Sequence, residues 1–157
     1  MQIQNLSEIE AAFIERVHRM VWCSVATIDT QGRPRSRILH PIWEGATGWI
    51  LTGRQTLKAK HIVCEPDHIS LAYIHDVMRP VYIDCRAEWI DEVAQKQRIW
   101  TLFASTPEPL GYDPATTFPG VDHPATGLLK LTPWRIDLVS FPAPSYEEGT
   151  KVWRQKV

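Results

Sequence analysis

"GRPRSRILHPIWEGATGWILTGRQTLKAKHI", residues 32–62, joins strand-like apolar runs to a dense set of cations. The turn signal "TQGRP" (30–34) ends a preceding run, "VWCSVATID" (21–29). "RSRILHPIW" (35–43) then reads as the return strand of a hairpin. Proline cannot donate to a β-ladder, so a bulge or an edge is expected at Pro41. "GWILTG" (48–53) reads as a third strand, and the chain turns helical from about Thr56 to Pro66. Six basic residues (Arg33, Arg35, Arg37, Arg54, Lys58, Lys60) stand here against a single acid, Glu44. Two readings are open for the lysines at the helix start: a solvated face, or a seat for a phosphate at an already positive helix N-terminus.

On the N-terminal side, Ser7 and Glu10 have capping-box spacing. Leu6, Ile9, Phe13, Val17 and Met20 follow at helical intervals. On the C-terminal side, "HISLAYIH" (68–75) is a fourth strand. "VYIDCRAEWID" (81–91) alternates cleanly: Val81, Ile83, Cys85, Ala87 and Trp89 should face inward, and Tyr82, Asp84, Arg86 and Glu88 outward. A helix over 91–105 and a last strand or pair of strands over 127–141 complete the pattern. Between them, residues 106–126 form a long Pro- and Gly-rich loop, of a kind that is often functional. This loop is expected either to reach towards a cleft shared with a second copy or to cap its own barrel. Strands with few long helices argue for a mostly antiparallel barrel with helices packed on it.

The length of 157 residues suits one domain. A formal net charge of −1 argues against a nucleic-acid-coating surface, so the local cations point to a small anion instead. No run is long and apolar enough to span a membrane, and the N-terminus has no basic start with an apolar core. Cys23, Cys64 and Cys85 make no disulfide framework or zinc pair, and the six histidines are scattered. The expectation is a cytoplasmic protein with no metal site.

The order of features resembles the pyridoxamine 5′-phosphate oxidase-like superfamily of FMN-binding split barrels. The features are a helix, a hairpin with "GRP" in its turn, an Arg-bearing strand, a strand ending in Thr, a Lys-bearing helix, and two further strands. The resemblance implies a mainly β fold, a six- to seven-stranded antiparallel split β-barrel over residues 1–141. Residues 142–157 would be a C-terminal tail or a dimer-contacting arm. It further implies FMN held by Arg37 at the phosphate and by Ile38, Leu39 and His40 at the ring. Leu51 and Thr52 match a pair at the end of the next strand. Thr56, Leu57 and Lys58 stand where the family has Ser-Arg-Lys, so Thr56 and Lys58 complete the set. Trp134 and Arg135 lie where an aromatic and a basic residue often approach the ring, though Trp134 also reads as a structural barrel-wall residue.

Pro80 and Ile42 replace a glutamine and a lysine of the oxidase proper, which argues against that vitamin enzyme. The resemblance thus implies a flavin-dependent oxidoreductase acting on a small organic substrate, a homodimer with sites at the interface, and no catalytic acid or base. Alternatives are a deazaflavin-dependent reductase, for which Arg35 and Arg54 would supply extra charge, and a non-enzymatic flavin- or haem-binding stress protein. A nucleic-acid barrel that stacks bases on tryptophan is disfavoured by the net charge.

Overall fold

A computed structural model describes residues 1–155. Its organising element is β8 (Thr126–Val139), a strand of 14 residues. One edge of β8 pairs with β7 (Val81–Ile90). The other edge is divided: residues 126–131 pair with β5 (Thr47–Gly53), and residues 135–139 pair with β9 (Thr150–Arg154). The sheet continues from β7 to β6 (Ile69–Tyr73), β2 (Cys23–Ile28) and β3 (Pro34–Leu39). β4 (Ile42–Glu44) pairs with β5, and the short β1 (Gln2–Ile3) lies parallel to β9. All other pairings are antiparallel. The mainly β class holds, and the sheet is mixed and open, with nine strands rather than six or seven.

The additional strands have physical causes. "RSRILHPIW" is not one strand with a bulge. It breaks at His40–Pro41 into β3 and β4. The break lets the chain leave β2 and pair with β5, where the missing proline N–H costs no ladder bond. At the other end, residues 150–154 of the segment read as a tail or arm occupy the edge that β5 leaves free on β8. The last two residues of that segment, 156 and 157, lie outside the described residues.

α1 (Glu10–Met20) lays Phe13 and Val17 on the sheet, where they meet Trp43, Leu71, Tyr73 and Ile83. The buried indole Nε1 of Trp43 donates to the Tyr73 hydroxyl at 2.9 Å, so neither polar group is orphaned. The helix begins differently from its sequence signal. Ser7 sits inside a 3-10 turn (Leu6–Glu8), and the box contact is made by the Asn5 N–H to Glu8 Oε1, 2.9 Å.

α2 (Leu57–Cys64) packs over β2, and α3 (Val93–Ser105) covers β5 and β8 with Ile99 and Phe103. α3 is tied to β4 by the fork from Arg98 to Glu44, at 2.8 and 3.0 Å. α4 (Tyr146–Gly149) is a single turn before β9. Among the described residues no helix is long and apolar enough to cross a membrane.

β7 keeps its alternation through Ala87: Val81, Ile83 and Cys85 are fully buried, while Tyr82 and Arg86 are exposed. Trp89 is the exception, being half-buried instead of core. Its ring lies on Gly127, where a Cβ would come within 2.5 Å, and the Arg54 guanidinium lies over it, 4.3 Å from the ring centre.

Candidate functional site

The site grows from the β2–β3 hairpin. Cross-strand partners share a face of a sheet. Arg37 and Leu39 lie opposite Val25 and Cys23 on the inner face, so Ile38 and Ser36 point outward. Asp29 fixes the turn by accepting from the Gln31 and Arg33 N–H groups at 2.9 and 3.0 Å and from Arg33 Nε at 2.9 Å. These bonds, the Arg33 N–H foremost, hold the Asp29 carboxyl down to about 2.

Arg37 reaches across β2. Its Nη1 donates to the Val25 carbonyl at 3.1 Å and to Thr27 Oγ1 at 2.8 Å. Lys58, from the first turn of α2, donates to Thr56 Oγ1 at 3.1 Å, and the Thr56 hydroxyl in turn donates to the Gly53 carbonyl at 3.0 Å. Burial, and after it the charge of Arg37, push the Lys58 ammonium below its usual value. Burial also lowers Arg37, with Arg35 adding to the shift. The charge of Arg37 thus bears on Lys58, which comes from a separate element, and among the described residues neither has a carboxylate partner.

Beside this pair lies a cleft of about 620 Å³. Five residues singled out in the sequence line it: Ile38, Leu39, His40, Leu51 and Thr52. Arg37, Thr56 and Lys58 are not part of that lining; Arg37 adjoins Ile38 in the chain, and the other two follow the lining residue Gly53. The far wall comes from the Pro-rich loop of the same chain, through Tyr112, Phe118 and a 3-10 turn (Pro114–Thr116). The loop is held by the His40 Nε2–H, which donates to the Leu110 carbonyl at 2.6 Å. Gly111 makes the tight approach possible, since a Cβ there would lie 1.8 Å from the Thr106 carbonyl oxygen.

Burial lowers the His40 pKa, so the imidazole is neutral, and it is wedged among Trp22, Tyr112 and Phe103. Burial pushes the Tyr112 phenol up to about 12.

Sequence reasoning missed Trp22, Tyr112 and Phe118 in the cleft, and Thr27 and His61 behind Arg37. The paired alternation of "VWCSVATID" and "PRSRIL" could have placed Thr27 near Arg37. Trp134 does not line the cleft. A register shift between β7 and β8 leaves it without a cross-strand partner, 40% exposed, with its Nε1 donating to the Asp67 carbonyl. Arg135 is engaged in a fork with Asp137 at 2.8 and 2.6 Å. Arg54 also has partners, and Arg35 is exposed. Arg54 lies 3.4 Å from Asp91 and over Trp89, and Arg35 lies 4.0 Å from Asp29.

No protein-family model matches the sequence, and no curated protein matches it. Solved structures do match the fold. A pyridoxamine 5′-phosphate oxidase-related, FMN binding protein from Nostoc punctiforme PCC 73102 superposes with a TM-score of 0.64 at 15% identity, covering 98% of this chain and 100% of that one. A protein from Clostridium acetobutylicum related to general stress protein 26 of B. subtilis (pyridoxinephosphate oxidase family) gives 0.69 at 15% identity, covering 94% of each chain. An F420 reductase gives 0.58 at 14% identity, covering 78% of this chain and 93% of that one. The fold is therefore that of the pyridoxamine 5′-phosphate oxidase-like FMN-binding split barrels.

Proposed function

We propose that this chain is an FMN-dependent oxidoreductase whose substrate is a small organic molecule. The observation that carries this reading is the placement of two cations, Arg37 and Lys58, on elements that adjoin the lining of a largely apolar cleft, neither of them with a carboxylate partner among the described residues. A flavin phosphate is dianionic and favours charge-assisted donors, of which arginine offers a planar fork. The cleft volume lies within the range of small-molecule sites. β3 is the last strand of the sheet, so its outward N–H and C=O groups near Ile38 and Leu39 have no strand partner and can meet the edge of an isoalloxazine ring.

When bound, the flavin supplies hydride or electron transfer, and the protein supplies position and electrostatics. Trp22, Tyr112 and Phe118 give the cleft its aromatic lining. Neutral His40 and protonated Tyr112 add no charge to it. No acid or base is required of the chain. The deazaflavin alternative has less support, because Arg54, one of its two extra cations, already lies against Asp91 and Trp89. A haem reading has less still, because His40 Nε2 is committed to Leu110.

The reading includes a homodimer with the site at its interface, and a cytoplasmic location. Support for the dimer comes from the exposed outer face beside the cleft, where Trp22 and Ile38 are 57% and 63% exposed. The visible absorption spectrum of the freshly purified protein, before and after incubation with FMN and gel filtration, tests the cofactor. Retained flavin bands are expected. Deazaflavin or haem bands, or no retained chromophore after incubation, would contradict the proposal.

A further inference from the structure

Arg37 has five N–H groups. The two on Nη1 are spent on Val25 and Thr27, while those on Nε and Nη2 have no acceptor among the described residues. One edge of the guanidinium is thus fixed and the other is presented. What fixes it is a buried chain two residues deep. Thr27 is 1% exposed, and its hydroxyl has one hydrogen and two lone pairs. Arg37 takes a lone pair at 2.8 Å. The other partner within reach is His61 Nδ1, at 3.2 Å.

The arrangement that leaves no buried donor unpaired has the Thr27 O–H donating to His61 Nδ1, with the imidazole proton on Nε2. His61 is itself buried and sits three residues after Lys58, on the same face of α2. One helix face therefore contributes a cation to the seat and a buttress to the opposing arginine.

We propose that Thr27 and His61 are positioning residues for the phosphate of the bound flavin: they hold Arg37 so that its Nε and Nη2 edge faces the anion. This rests on the FMN reading of the site. A merely structural role, pinning α2 to β2, would affect every ligand of the cleft alike. A positioning role affects only the ligand that carries a phosphate.

Fluorescence titrations of the full chain with FMN and with riboflavin, which lacks the phosphate, separate the two. Thr27→Val is expected to weaken FMN binding about tenfold, the scale of one charge-assisted hydrogen bond, and to leave riboflavin binding within a factor of about two. Thr27→Ser, which keeps the hydroxyl, should restore FMN binding. His61→Leu should behave like Thr27→Val, and His61→Asn, which keeps an acceptor, should retain most of the affinity.

If Thr27→Val and His61→Leu bind FMN like wild type while Arg37→Ala does not, the buttress is refuted and the phosphate seat stands. Equal losses for FMN and riboflavin also refute it. If Arg37→Ala binds FMN like wild type, the seat itself is wrong. Should Thr27→Val fail to fold, the contrast between His61→Leu and His61→Asn decides.

Discussion

Asp29 shows how a single side chain sets the geometry of the hairpin that carries Arg37. Its carboxyl stands near 2, below the ordinary aspartate value of about 3.9. The folded-state pKa is depressed, so the contribution of Asp29 to stability is complete above about pH 4 and is lost as pH falls towards 2. Asp29→Asn removes the ion pair with Arg33 and is expected to melt lower than wild type at pH 7. The gap in melting temperature should close as both are titrated to pH 2, and a gap that widens in acid would reverse the assigned sign. The local excess of cations was legible from residue type and spacing, whereas the choice of Arg37 and Lys58 among them came from the resemblance to the FMN-binding split barrels. Trp22, Thr27 and His61 were not legible, because their roles arise from cross-strand register and from a helix lying over β2. Neither leaves a local sequence signal.

Among the elements, β7 was legible because one face is wet and the other dry over most of its length. The reading failed at Trp89, where the strand runs past the centre of the core and the ring is half-buried beneath Arg54. Trp89→Ala should therefore cost about 2 kcal/mol, less than the 3–5 of a fully buried tryptophan. Urea denaturation measures this, and a cost at or above the full-burial range would mean that the ring is core after all. The break at His40–Pro41 and the strand β9 were not legible. The first depends on β5 offering a second partner, and the second on β8 being long enough to pair twice along one edge. The Pro-rich loop could be marked as unusual but not placed, since its position rests on contacts distant in sequence or specific to the fold: His40 to the Leu110 carbonyl, the Arg54 N–H to the Ala125 carbonyl, and the packing of Leu110, Tyr112 and Phe118 on the core beside α3.

At the scale of the molecule, the outer face of the sheet runs from Ile38 through Ser24 and Ala72 to Tyr82 as one cross-strand row. Ile38 and Tyr82 are exposed, as are Trp22 and Ile74 at the ends of neighbouring strands. An apolar face of this kind, continuous with the mouth of the cleft, suits a two-fold partner that would cover both sites at once. Sedimentation at micromolar concentration should give twice the monomer mass, with an interface above about 1,000 Å². A stable monomer that still binds FMN tightly would show that no partner completes the site. The central claim is the phosphate seat, and calorimetric titration of wild-type protein with FMN and with riboflavin tests it most directly. The account predicts that FMN binds at least about tenfold more tightly than riboflavin, and that replacing both Arg37 and Lys58 with alanine abolishes the difference. Equal affinities for the two ligands in the wild-type protein, or a preference that survives the double replacement, would contradict it.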